Sequence, residues 1–263
     1  RALVVDLLPD VERIKEDAHG HEENKSHGKV NLFFVFTHFY AFLRLFHRNV
    51  TPPPAKKCRK EKNEQFIKSA EVMSDPVFAR VSDTKTPQGV LAVVRRMEYT
   101  MEDVLGENPH VLVLENIQDP GNLGTIFRTA EAAGATGIVL SKDCVDLYNP
   151  KVIRSTMGAV LRLPFLYTDD LTGTINEMKL AGIKIYAAHL GGETDYDQED
   201  YRTACAFLIG NEGNGLTEET AACADRKILI PMKGSAESLN AAVASAVLMF
   251  EAGRQRRRQS DKG

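Results

Sequence analysis

The feature that most constrains this chain is a regular alternation in its second half. Apolar runs of five residues stand at 111–115 (VLVLE), 137–141 (GIVLS), 184–188 (KIYAA), 206–210 (AFLIG) and 227–231 (KILIP). Between them lie amphipathic stretches with helical spacing and glycine stops. One runs from Asn122 to Ala133 and ends at Gly134; another runs from Asp169 to Ala181 and ends at Gly182. Strand–helix–strand alternation of this length dictates parallel strands, because each helix carries the chain back across the sheet. The expected fold is α/β, a mostly parallel sheet with helices on both faces. Ligands on such sheets bind beyond the carboxyl ends of the strands. Chemistry is therefore sought in the loops after Glu115, Gly210 and Pro231.

The first hundred residues have a different character, and the length of 263 residues accommodates one large or two small domains. Residues 19–29 are polar and aperiodic and read as a loop. Asn31 to His47 is rich in aromatics but carries His38 and Arg44, which favours a buried helix or strand over a membrane span. Thr51-Pro52-Pro53-Pro54 opens an extended linker. The basic run Lys56, Lys57, Arg59, Lys60 and Lys62 is either a solvated face or a phosphate contact. Cys58, Cys144, Cys205 and Cys223 are widely separated, with no C-x-x-C pair and no histidine at ligand spacing. That pattern fits reduced thiols in a cytoplasmic protein and no metal site.

The net charge of −3 excludes a uniformly basic protein. It also conceals opposed patches, which can steer a polyanion despite near neutrality. Glu193, Asp195, Asp197, Glu199 and Asp200 form an acidic cluster, whereas Arg254, Arg256, Arg257 and Arg258 crowd the end of the last helical stretch. The four arginines are the expected basic surface.

Each of the three loops carries its own signal. In Asn116–Ala130, Asp119-Pro120-Gly121 is a turn, Asn122 is placed to cap the following helix, and Arg128 lies within two turns of its start. A capped, glycine-containing helix start after a buried strand favours an anion site. In Gly210–Leu216, three glycines permit close backbone approach to a ligand, but their order is not the dinucleotide fingerprint. In Ile230–Asn240, Ser238 reads as the cap of a long helix with Leu239, Val243, Ala246, Val247 and Phe250 on one face. That helix is either a plain core helix or one that also packs a dimer partner.

Together, in order and spacing, these loops resemble the motifs of the SpoU/TrmH family of RNA ribose 2′-O-methyltransferases. A fourth stretch, Asn149–Ala159, is similar to the family's P-K-x-x-R-x-S-x-G pattern, with Thr156 in place of the commoner serine. The likeness covers residues 108–258, the expected methyltransferase domain. It implies a C-terminal trefoil knot, an exception to the rule against knotted chains, whose loops hold S-adenosylmethionine. Gly210, Ile230 and Leu239 are the implied cofactor contacts, with Met232 and Ser238 nearby. Asn122 and Arg128 match the family's catalytic pair, with Glu212 and Asn240 lining the site. Arg154 and Arg128 are the implied RNA contacts.

Arg128 is implied either as the base or as a clamp on the substrate phosphate. A guanidinium stays protonated near neutrality, which favours the clamp. The resemblance further implies a homodimer paired largely through the helices after motif one and after Ser238. Residues 77–93 look similar to the end of an RNA-binding domain that precedes many members' catalytic domains. A smaller α/β substrate-binding domain is thus expected over 1–98, atypical in 1–65 and with its linker near 51–62. That preceding domain favours ribosomal RNA over transfer RNA. A non-catalytic RNA-binding relative is disfavoured by intact Asn122, Arg128, Glu212 and Asn240, and an ordinary doubly wound nucleotide enzyme by the late glycine loop.

Overall fold

The computed structural model describes residues 2–6, 32–35, 69–73, 75–82, 90–94 and 96–260. The chain divides into two compact units, Arg1–Glu98 and Tyr99–Gly263. The first holds a four-stranded sheet of β1 (Ala2–Asp6), β2 (Leu32–Val35), β3 (Ser69–Met73) and β4 (Val90–Val94), in the order β2-β4-β1-β3. β1 is parallel to β4 and antiparallel to β3, and β2 is antiparallel to β4. Helix α1 (Asp75–Ser82) buries Phe78. The aromatic stretch contributes β2; its remainder, the 19–29 loop, the triple proline, the basic run and Cys58 lie outside the described residues.

In the second unit seven strands stand in the order β7-β6-β5-β10-β8-β11-β9, every neighbouring pair parallel. They are β5 (His110–Leu114), β6 (Gly137–Ser141), β7 (Phe165–Thr168), β8 (Lys184–Ala188), β9 (Thr194–Asp195), β10 (Cys205–Ile209) and β11 (Arg226–Leu229). Each strand expected from an apolar run is found starting within one residue of its place, β11 ending two residues short of its run. The central pair β5 and β10 is buried along its whole length.

Helices cover both faces, as expected. Val111, Val113, Val139, Ile185, Ala187, Ala206 and Leu208 share one core with Val104 of α2 (Met101–Leu105), Ile175 and Met178 of α5 (Leu171–Leu180), and Ala221 of α6 (Glu218–Ala222). Strand alternation sends Leu112, Leu114, Ile138, Leu140 and Phe207 to the opposite face. There α7 (Ala241–Ser260) lies against β5 and β10 and against α3 (Pro120–Ala133). The short helix α4 (Pro150–Ser155) packs on α3. Gly124 makes that contact possible: a Cβ there would come within 1.5 Å of Ser155 Oγ and 2.9 Å of the Val152 carbonyl.

Four local expectations need correction. Asp119, not Asn122, caps α3, accepting from the Asn122 N–H at 2.7 Å. Pro120 has no N–H to donate and a preset φ, so the helix starts there and Asn122 falls inside its first turn. Asn240, not Ser238, caps α7: its Oδ1 accepts from Ala242 N (2.9 Å) and Val243 N (3.3 Å).

The α7 face named from sequence is also the wrong one for the core. Ala241, Ala242, Ser245, Leu248, Met249 and Ala252 are buried, while Val243 and Phe250 are 49% and 45% exposed. The four C-terminal arginines do not form one basic surface either. The Arg256 guanidinium donates to the carbonyls of Asn108, Pro109, Tyr201 and Thr203, tying together the segments that enter β5 and β10. Arg254 is forked onto Glu251.

Candidate active site

The three loops leave the carboxyl edge of the sheet from β5, β10 and β11. The first is pinned before its helix begins. Asn116 takes a left-handed φ of 54°, which asparagine tolerates. Its N–H donates to Ser141 Oγ (2.9 Å), its Oδ1 accepts from Gln118 Nε2 (2.6 Å), and its carbonyl accepts from Asn211 Nδ2 (2.8 Å). The Ile117 N–H donates to the buried Cys144 thiol at 3.3 Å, so this cysteine has a structural role.

The second loop folds back on itself. Asn211 and Gly215 exchange backbone hydrogen bonds at 3.0 and 2.9 Å, and Asn211 Oδ1 accepts from Gly213 N and Asn214 N. A Cβ on Gly210 would stand 2.1–2.3 Å from the Gly215–Leu216 backbone, so only glycine fits where the loop closes. Glu115 fixes the exit, accepting from Thr217 N and Oγ1, both at 2.8 Å, and from Thr220 Oγ1.

Glu212 joins the first two loops. Its Oε1 accepts from Asp119 N (3.1 Å) and Asn122 Nδ2 (3.0 Å), and its Oε2 from Gln118 N (3.2 Å). Partial burial pulls its pKa upward, but the Asn122 amide and surrounding backbone N–H groups outweigh that and hold it below the usual carboxylate range. Asn122 is linked in turn to the third loop, accepting at Oδ1 from Asn240 Nδ2 at 2.9 Å. Three of the four residues expected at the catalytic centre thus form one hydrogen-bonded chain, Asn240–Asn122–Glu212.

Arg128 is not part of that chain. It lies six residues beyond Asn122 on α3, about 9 Å along the axis and about 120° around it. Its row on the helix is Gly124, Arg128, Glu131. Gly124 meets Ser155, and Glu131 pairs with Arg162, so this row faces α4 and the short 3-10 turn Ala159–Leu161 after it. Arg128 is exposed and forms no ion pair among the described residues. Arg154 on α4 is likewise exposed and forms no ion pair among the described residues.

The cofactor residues implied by the motifs border the same sheet edge. Gly210 follows β10 directly and is half-buried; Ile230, Met232 and Leu239 are half-buried on the loop after β11, and Ser238 is exposed. Half-buried apolar side chains beside a glycine-tight backbone loop fit a purine and its ribose. Glu115, Gln118 and Asn211 were not singled out from sequence, although they hold the loops in place. The signal for Glu115 was available: a carboxylate ending a buried strand, opposite Thr217 and Thr220. Among the described residues no cluster of histidine, cysteine or carboxylate side chains could hold a metal ion. No helix among them is long and apolar enough to cross a membrane.

Comparison with known proteins agrees with this architecture. The model of the SpoU rRNA Methylase family matches residues 109–250. The 23S rRNA (guanosine(2553)-2′-O)-methyltransferase RlmP of Bacillus subtilis (strain 168) is 35% identical over 179 residues, 68% of this chain and 70% of that protein. The 23S rRNA (guanosine-2′-O-)-methyltransferase RlmB of Ralstonia nicotianae is 32% identical over 210 residues, 75% of this chain and 84% of that one. Among solved structures, the SpoU methyltransferase AviRb from Streptomyces viridochromogenes in complex with AdoMet superposes with a TM-score of 0.61 at 31% identity, covering 66% of this chain and 68% of that one. With the motif loops, the parallel sheet and the family match in agreement, this chain belongs to the SpoU rRNA methylase family.

Proposed function

We propose that this chain is an S-adenosylmethionine-dependent RNA methyltransferase acting on a ribose 2′-hydroxyl of ribosomal RNA. The observation that carries the reading is the Asn240–Asn122–Glu212 chain, which ties all three motif loops at one sheet edge. The names of the RlmP and RlmB relatives support ribosomal RNA over transfer RNA.

When bound, the cofactor supplies a methyl carbon made electrophilic by its sulfonium. Ile230, Met232 and Leu239 would hold its apolar part and the backbone at Gly210 its polar edge. Glu212 is a positioning residue, because both its oxygens are already occupied and its pKa is depressed. Asn122 and Asn240 present amide groups to the acceptor. The Arg128 guanidinium clamps the adjacent phosphate and stabilises the developing alkoxide while the hydroxyl proton leaves to water. Arg154 takes a second phosphate.

The finer architecture belongs to the same reading. The loops at 210–216 and 230–240 form a trefoil knot, supported by the family match across both. The first unit is a substrate-binding domain, supported by the RlmB likeness, which at 210 residues is longer than the family-model match. A second copy covers the α7 face of Val243 and Phe250, giving a homodimer. A cytoplasmic location belongs to the same reading, supported by the bacterial ribosomal RNA methyltransferase relatives.

The test is transfer of labelled methyl from S-adenosylmethionine to ribosomal and transfer RNA, followed by nucleoside mapping. A 2′-O-methylated nucleoside from ribosomal RNA is expected, and Arg128→Ala should abolish it while sparing cofactor binding. No transfer to any RNA overturns the reading.

A further inference from the structure

Two non-glycine residues among the described ones have left-handed backbone, Asn116 and Met157. Asn116 is of a type that tolerates it. Met157, at φ 51°, gains no side-chain hydrogen bond in return and is 54% exposed. Its turn holds it there. The buried Thr156 donates from Oγ1 to the Ile153 carbonyl (2.8 Å) and accepts at Oγ1 from Gly158 N (3.3 Å), while Met157 N donates to the Arg154 carbonyl (3.3 Å). A strained, outward-facing apolar side chain on a well-anchored turn is a feature of ligand contacts.

Its neighbourhood is basic. Ser155 meets Gly124 and Arg162 meets Glu131, so the segment between them runs alongside the part of α3 that carries Arg128. Arg154 and Lys151, both exposed, stand on the helix just before it. An exposed apolar side chain that follows the exposed Lys151 and Arg154 on one segment matches a strand with flat apolar bases and anionic phosphates. We propose that Met157 packs its thioether chain on an unpaired base of the substrate RNA, next to phosphates held by Arg128 and Arg154. The proposal rests on the RNA reading above and assigns that site a base contact.

Two substitutions test it. Met157→Asn suits left-handed backbone but removes the apolar surface; Met157→Leu keeps the surface. The expected result for Met157→Asn is a Kd and KM for substrate RNA raised about 5- to 10-fold. Its cofactor affinity and molecular mass in solution should stay unchanged, and its Tm should stay within about 2 °C of the parent. Met157→Leu should bind RNA within about twofold of the parent. Unchanged RNA affinity in Met157→Asn overturns the proposal. So does a dimer that dissociates without loss of RNA affinity, which would assign the surface to a second copy. If the parent chain transfers no methyl to any RNA, the functional reading fails instead, and the two failures are distinct.

Discussion

Asn240 donates from Nδ2 to Oδ1 of Asn122 at 2.9 Å, across 118 positions of the chain. The same Asn240 caps α7 through its Oδ1. One side chain therefore starts the last helix and aligns the amide that faces Glu212, so the two roles separate by substitution.

Asn240→Asp keeps an acceptor for the helix N–H groups and loses the donor to Asn122. Tm should stay within about 2 °C of the parent while methyl transfer falls at least about tenfold. Asn240→Ala loses both, costing about 1 kcal/mol of stability as well. Thermal unfolding beside a transfer assay checks this. Equal losses of stability in the two variants would refute the division of roles.

His110, at 1% exposure, has neither ring nitrogen hydrogen-bonded and lies edge-on to Phe207, 6.0 Å between centroids. Burial, helped by the Arg256 charge, lowers its pKa from 6.5 to about 4. The folded state thus resists a proton that the unfolded chain accepts. The stability this contributes is complete above pH 6.5 and is lost as pH falls toward 4. Between neutrality and pH 5 the loss should be about 2 kcal/mol. His110→Phe should flatten that limb in urea titrations, and an unaltered slope would show that another group is responsible.

The C-terminal arginines should divide by partner. Arg256→Ala removes the side-chain donor from four backbone carbonyls, of which only Pro109 keeps a backbone donor (Cys205 N), and should cost at least about 2 kcal/mol in denaturant unfolding. Arg257 and Arg258 are exposed in the last turn. Their joint replacement by Gln should leave stability within about 0.5 kcal/mol. RNA affinity should drop and its salt dependence become shallower. Stable, RNA-competent Arg256→Ala protein would contradict the assignment.

Gly124→Ala should force α3 and α4 apart and destabilise by about 1–3 kcal/mol. Ser155→Gly added to it should recover part of that loss, since Ser155 supplies the nearest clash and the Val152 carbonyl the remaining one. Absence of any coupling between the two would mean the helices separate by another route.

Strands β5, β6, β8, β10 and β11 were legible because buried strands need apolar runs, and the runs start within one residue of the elements. β7 (Phe165–Thr168) was not, since only Phe165 of its four residues is buried at the sheet edge. β9 has two residues and no pattern to detect. The helix starts were misplaced where two good capping residues compete: Asp119 beats Asn122 because Pro120 follows it, and Asn240 beats Ser238 by standing next to the alanine run. On α7 periodicity marked an apolar stripe but could not tell which side the sheet would claim. The site residues were legible as motif members. Their linkage was not, because Asn122, Glu212 and Asn240 meet only after the sheet brings distant loops together. The separate position of Arg128 follows from helix geometry once the start at Pro120 is known.

The bonds joining residues 122, 212 and 240 carry a consequence for synthesis. A ribosome releases the chain from its first residue onward, so β5 and α3 can dock long before Asn240 leaves the exit tunnel. During that interval Asn122 lacks the donor it accepts from in the finished chain. The linkage of the three motif loops is therefore completed late in translation, once nearly the whole chain has left the tunnel.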